Sequence, residues 1–279
     1  MRSIAVCSAA SGAPVLVWSR SGRLLVWALV VPLMLVIYGL PMGVIVVASF
    51  ARQWNGVLPS GFTLAHYAAS LEGDSLASLT TSLATGFIAS AVALISGTWA
   101  ALALREVPRQ RARLFDVLFF VPSAVPSVSV GLGLLVAFSH PPFLLNGTRW
   151  IVLAAHFVLI SAFTYGNVRA GLTRVPLACE EVASSLGASP FYRLRRVTLP
   201  LLAPYLISAF SLSFALSMGE LGATIMVYPP SWVTLPVHIF ALSDRGAVFD
   251  AATLTTLLGL ATVIVLTALS RLASRAAVR

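Results

Sequence analysis

The chain has 279 residues, 58% of them apolar and only 10% charged, whereas soluble domains carry about 25% charged residues. That balance, with a positive mean hydropathy, excludes a water-soluble core as the destination. The net charge of +9 comes from 18 arginines against 9 acidic residues, with no lysine, and it is spread over short loops instead of one basic face, so no nucleic-acid partner is implied.

A bilayer-crossing helix needs ~20 mostly apolar residues. Segments of that kind recur at 24–50, 76–104, 114–138, 150–168, 201–227 and 247–270. They predict an all-α integral membrane protein with about six transmembrane helices. Residues 1–23 then form an N-terminal tail, 24–271 the membrane domain and 272–279 a C-terminal tail. The first apolar run is too long for a signal-peptide core and lacks a cleavage site, so it reads as a retained helix behind a poorly ordered tail. Cys7 and Cys179 fall in the tail and in an inner loop, and give neither a disulfide nor a metal signal.

Arginine counting assigns the sides. Fifteen of the eighteen fall on one side: Arg2, Arg20 and Arg23, four between Arg105 and Arg113, five between Arg169 and Arg196, then Arg271, Arg275 and Arg279. Only Arg52, Arg149 and Arg245 fall on the other. Retention of positive charge inside puts both termini in the cytoplasm of a multi-pass inner-membrane protein.

After the first span, the loop Gln53–Leu71 carries Trp54, Asn55, Gly56, Pro59 and Gly61, a turn-rich external connection with room for a short interfacial helix near His66 and Tyr67. The second span is rich in Ser, Thr and Gly, which predicts close packing against neighbouring helices. In the third, Pro122 and Pro126 precede Gly131 and Gly133, so a kink or a partly unwound stretch is expected. Interruptions of this kind line pathways in transporters, and also occur as plain packing kinks. The fourth span ends in Thr164, Tyr165, Gly166, Asn167 and Arg169, whose polarity marks an approach to water. His156 within it reads as a hydrogen-bonded packing residue, since no carboxylate is spaced to partner it.

The loop at 174–200 is the most informative stretch. Its core reads PLACEEVASSLGASPFYRLRRVTLP. Pro176 suits a first helical turn, Glu180 and Glu181 oppose the helix dipole, and Gly187 suits a left-handed C-terminal cap. Ser189 then caps a second helix that begins at Pro190 and runs through Val197, before Pro200 opens the fifth span. Two short helices are thus expected as a cytoplasmic shelf.

This loop resembles the Glu-Ala-Ala, three residues, Gly, nine residues, Ile, one residue, Leu-Pro pattern of bacterial ABC importer permeases. Glu181, Ala183, Gly187, Val197, Leu199 and Pro200 match it in register, with Val182 and Val197 departing conservatively. The resemblance implies a coupling loop that docks on a cytoplasmic ABC ATPase. It also implies a second permease subunit, either a sister chain or another copy, and a periplasmic solute-binding protein. ATP and Mg would be held by the ATPase, because a P-loop needs a lysine that this chain lacks. No cofactor, metal site or enzymatic activity is expected on the chain itself.

In the fifth span, Ser217–Thr224 reads SMGELGAT and places Glu220 in an apolar helix, at ~2.5–3.5 kcal/mol if it were unpaired at the bilayer centre. The run resembles the Gly-Glu-Phe-Gly-Ala segment of molybdate and sulfate permeases, with Leu221 in place of Phe. Glu220, Pro122 and Pro126 are the pathway or gate candidates. The runs Phe120–Phe138, Ala154–Asn167 and Tyr228–Asp250 resemble permeases for 2-aminoethylphosphonate, and the likeness covers most of residues 60–271. Thiamine, ferric ion, sulfate or molybdate, and polyamines remain the alternative solutes. An ion-coupled secondary transporter using Glu220 would need no coupling loop, and an intramembrane hydrolase lacks its nucleophile and base motifs.

Overall fold

The computed structural model describes residues 19–56 and 58–277; Cys7, Arg2 and the expected N-terminal tail up to residue 18 lie outside the described residues. Contacts divide the chain into two units, Met1–Val47 and Ala48–Arg279.

The first unit is one apolar helix, α1 (Arg20–Ser49), whose last two residues belong to the second unit. Ser19 caps it by accepting the Gly22 N–H at 2.9 Å. Its middle widens into a π turn at Leu35–Gly39, closed by the Leu40 N–H on the Leu35 carbonyl. Pro41 follows at once. A proline cannot donate, and its ring presses on the carbonyl four residues back, so one extra residue in the turn lets the helix pass without breaking.

The second unit opens with a two-stranded antiparallel ribbon, β1 (Ala51–Gln53) and β2 (Ser60–Phe62), with Ala51 opposite Phe62. Then come the short α2 (Ala65–Ser70) and the long α3 (Gly73–Leu104). The third crossing is two helices, α4 (Arg109–Ala124) and α5 (Ser127–Ala137), meeting at 102°. The helix α6 (Arg149–Leu172) precedes α7 (Leu177–Ser185) and α8 (Pro190–Met218). A single turn, α9 (Thr224–Val227), is followed by α10 (Leu235–Asp244) and α11 (Val248–Ala277).

The expected kink at 122–126 is sharper than proline alone requires. Val125, which precedes Pro126, is extended at φ −96°, ψ 137°, and Pro126 itself sits at φ −54°, ψ 135° before α5 restarts. Two consecutive non-helical residues turn the chain. The bent pair still crosses from end to end. Phe119 of α4 stacks on Tyr165 near the end of α6, while Leu134, Leu135 and Phe138 of α5 and its exit pack around Ile151, Val152 and Ala155 near the start of α6. With five single helices long and apolar enough to span, the bent pair brings the candidate crossings among the described residues to six.

At the centre lies α6. Its buried residues face α3, α8, α4, α5 and α9 in turn. The small residues of α3 form the expected packing face: a Cβ on Gly97 would stand 3.3 Å from the Tyr165 backbone nitrogen, and one on Gly86 would stand 3.0 Å from the Phe214 ring. Small side chains let helices approach where lipid gives no hydrophobic gain on association. The polarity at the end of α6 divides: Gly166, Asn167 and Arg169 are half-exposed, as an approach to water requires, whereas the two residues before them are turned inward. Thr164 and Tyr165 are fully buried, and the Thr164 and Ser213 hydroxyls meet at 2.6 Å across α6 and α8. The helix continues to Leu172.

Two further expectations are corrected. The shelf's second helix is not separate from the fifth span, because α8 runs unbroken from Pro190 to Met218 through a π turn at Leu194–Thr198. Pro200 therefore lies inside a helix. The turn closes Leu199 N–H onto the Leu194 carbonyl just before Pro200, the same register as before Pro41. The fifth span ends at Met218, not 227: Gly219 and Gly222 flank Glu220 in a non-helical turn before α9, and two glycines within four residues are poor helix formers.

Candidate functional site

Two places gather the sequence-derived candidates. The first is the shelf formed by α7 and the start of α8. After α7 the Gly187 N–H bonds the Ser184 carbonyl at 2.9 Å and the Ala188 N–H bonds the Ala183 carbonyl at 3.0 Å, a paired C-terminal cap that needs the positive φ of +83° at Gly187. Ser189 accepts the Tyr192 N–H at 3.3 Å and Pro190 opens α8. Glu181 is exposed, as are Leu177, Val182, Leu186, Phe191 and Tyr192, so an acidic residue stands amid an apolar outer surface. Val197 and Leu199 are half-buried, in and just after the π turn, and Pro200 is exposed.

The residue that ties the shelf to the spans is Glu180, which the loop pattern does not single out. Its Oε1 accepts the Arg105 Nη1–H at 2.8 Å, from the end of α3, and the Thr198 hydroxyl at 2.9 Å, from the π turn of α8. No spacing rule finds a partner 75 residues away. Burial pushes the Glu180 carboxyl up. The hydrogen bonds from Arg105 and Thr198 and the positive charges of Arg105 and Arg193 outweigh it, and hold the group below its ordinary value of 4.5. A carboxylate with a depressed folded value adds stability that is complete above the ordinary value and is lost as pH falls through the depressed one. The stability of the shelf should therefore not change through Glu180 between about pH 6 and about pH 8. Thermal melting of the purified chain should show the shelf loosening only below the ordinary carboxylate range. A Glu180-dependent transition near neutrality would contradict this placement.

A second ionic group lies deeper, in α4 and α6. Tyr165 donates to Asp116 Oδ1 at 2.6 Å, Arg169 Nη1 donates to the Tyr165 hydroxyl at 2.6 Å, and Arg169 pairs directly with Asp116. Arg169 is thus turned to a protein carboxylate. Hydropathy had absorbed Asp116 into the third span, so its role was not visible.

The second place is the break between α8 and α9. Glu220 Oε1 accepts the Ala223 N–H at 2.7 Å, capping the turn that follows. His156 of α6 bridges the break, with Nδ1 2.6 Å from the Ser217 hydroxyl and Nε2 3.0 Å from that of Thr224. Both ring nitrogens are used, so the histidine is a packing residue with two hydrogen bonds. Glu220, His156, Pro122, Ser123 and Ser127 line one cavity of about 180 Å³ at the α4–α5 bend. Pro126 caps α5 and does not line it. By helical rise His156 is about 10 Å from the start of α6, so the cavity is nearer the ribbon end of the bundle. The bend closes on the break by backbone contact: Ser127 lies against Gly222, and a Cβ on Gly131 would stand 2.6 Å from the Ala223 carbonyl oxygen.

In sequence the chain is similar to permease subunits of transport systems. Over 260 residues the chain is 55% identical to a Salmonella paratyphi A protein named as a 2-aminoethylphosphonate transport system permease, PhnV, covering 93% of this chain and 98% of that one. The spermidine/putrescine transport system permease PotC of Escherichia coli K12 is 28% identical over 78% of this chain and 83% of its own. Among solved structures, a bacterial ABC transporter that imports alginate superposes with a TM-score of 0.71 over 91% of this chain and 96% of its own at 17% identity, which shows a shared fold. Residues 93–279 match the family described as binding-protein-dependent transport system inner membrane component, and with the PhnV likeness running over nearly the whole chain, this protein belongs to that family.

Proposed function

We propose that this chain is the membrane-spanning subunit of an ABC importer for 2-aminoethylphosphonate. What carries the solute assignment is identity of 55% to the PhnV relative across both chains. The wider likeness to a polyamine permease supports only the transport class.

The α7 end of the bundle is the cytoplasmic one. Arg105, Arg111, Arg113, Arg174, Arg193, Arg195 and Arg196 stand at or beside that end, while Arg52, Arg149 and Arg245 belong to the other, so the folded chain obeys retention of positive charge inside. An even number of crossings supports the reading that both termini are cytoplasmic. The exposed surface around Glu181, Val182 and Leu186 docks on a cytoplasmic ATPase, which holds ATP and Mg. Ala183, Gly187, Val197, Leu199 and Pro200 give that surface its shape. Glu220, Pro122 and the Pro126 break belong to the solute pathway or its gate. A second permease completes the pathway, and a periplasmic binding protein delivers the solute.

Purified alone in liposomes, the chain should neither hydrolyse ATP nor take up solute. Joined by its ATPase, a second permease subunit and the binding protein, it should hydrolyse ATP faster when the binding protein is loaded with 2-aminoethylphosphonate than when it is empty. Spermidine, thiamine, sulfate or ferric ion giving that stimulation instead would replace the solute assignment. Uptake by the lone chain, driven by a proton gradient without ATP, would replace the importer itself.

A further inference from the structure

Glu180 joins α7 both to the end of α3 and to the start of α8. A single carboxylate oxygen, Oε1, takes a guanidinium N–H from α3 and a hydroxyl from α8. The side chains are sheltered, with Arg105 24% and Glu180 19% exposed, and Thr198 is buried. Elsewhere α7 offers mostly exposed side chains: Leu177, Val182 and Leu186 all face outward. Arg193 holds its Nε buried and without a hydrogen-bond partner beside the same cluster, lining with Arg105, Glu180 and Thr198 a cavity of about 390 Å³. That space gives the clasp room to shift against α8. The receiving side is a π turn, a widened helical segment that already departs from the regular ladder, and such segments recur at functional sites.

We propose that Glu180 is the positioning residue through which movement of α7 is passed to the membrane spans, pulling on α3 through Arg105 and on α8 through Thr198. The proposal rests on the assignment of α7 as the ATPase-docking helix. It divides the shelf into two parts with different tasks. Glu181 and the outward apolar side chains grip the partner, while Glu180, pointing the other way, conveys the grip inward. A charge-assisted pair suits this task because it is directional and strong when sheltered, whereas apolar contacts would let α7 slide.

The test uses the whole assembly in liposomes: this chain, its ATPase, the second permease subunit and the binding protein loaded with 2-aminoethylphosphonate. Three quantities are read, namely co-purification of the ATPase, the rate of ATP hydrolysis, and solute taken up per ATP hydrolysed. Glu180→Ala and Arg105→Ala should retain the ATPase and yet lower uptake per ATP about tenfold. Thr198→Val should lower it less, by about two- to threefold. The paired exchange Glu180→Arg with Arg105→Glu should recover a large part of what either single exchange loses. Unchanged uptake per ATP in Glu180→Ala with the ATPase bound would overturn the clasp and leave the docking assignment standing. Loss of the ATPase from the single variants, unrepaired by the paired exchange, would make Glu180 a residue that only keeps the fold, and would also overturn it. A wild-type chain that bound no ATPase would instead overturn the docking assignment, and the clasp with it.

Discussion

Replacing Gly187 with proline is expected to leave the chain inserted in the membrane and to abolish transport. Gly187 sits at φ +83°, and its N–H closes the cap on the Ser184 carbonyl. Proline is held near φ −65° and has no N–H, so the cap cannot form, at a local cost on the order of 3 kcal/mol. No span is touched. What moves is the angle between α7 and the start of α8, and with it the surface around Glu181. Glu181→Arg should give the same loss of transport by another route, since Glu181 is exposed and its replacement reverses a charge on the proposed docking surface without disturbing the fold. The two variants differ in one readout: Gly187→Pro should lower the melting temperature of the purified chain, and Glu181→Arg should not. Both should co-purify with less ATPase. Uptake at the normal rate by either variant would remove the coupling role from this loop.

Gly131→Val should be almost as damaging for a reason of packing alone. A Cβ at Gly131 would stand 2.6 Å from the Ala223 carbonyl oxygen and 2.7 Å from its Cα. Those are backbone atoms of a turn held by Glu220 and by the His156 bridge, so they cannot give way as a flexible side chain would. Overpacking of this kind costs about 1–3 kcal/mol or more, and a drop in apparent melting temperature on the order of 5 °C is expected in detergent. Uptake should fall further than stability does, because α5 is pushed off the turn that lines the cavity with Glu220. The control lies two residues on. A Cβ at Gly133 meets nothing within 4 Å, so Gly133→Val should behave as wild type. Equal behaviour of the two valine variants would mean that α5 does not close against the α8–α9 turn.

The apolar crossings and the capped loop at 174–200 were legible in the residues because both are local properties. Twenty apolar residues in a row cannot be satisfied anywhere but in a bilayer or a core, and Gly187, Ser189 and Pro190 punctuate a cap and a helix start whatever surrounds them. The same kind of signal was ambiguous at Pro122–Pro126 and at Gly219–Gly222, since a proline or a glycine pair permits a kink, a break or an undisturbed helix at similar local cost. Neighbours chose among them. At 125–126 the chain turned by 102°, and at 219–223 α8 stopped so that the turn could pack on Gly131. At Pro200 the opposite happened, and a π turn carried the helix through. Side-chain partnerships were least visible of all. Arg105 with Glu180, Asp116 with Arg169 and His156 with Ser217 and Thr224 join residues distant in sequence. Burial in lipid and helix capping act over a few residues, so the residues alone reveal a membrane subunit with about six apolar crossings and an exposed loop at 174–200. Which carboxylate ties that loop to the spans, and where the pathway candidates meet, depends on which helices lie side by side.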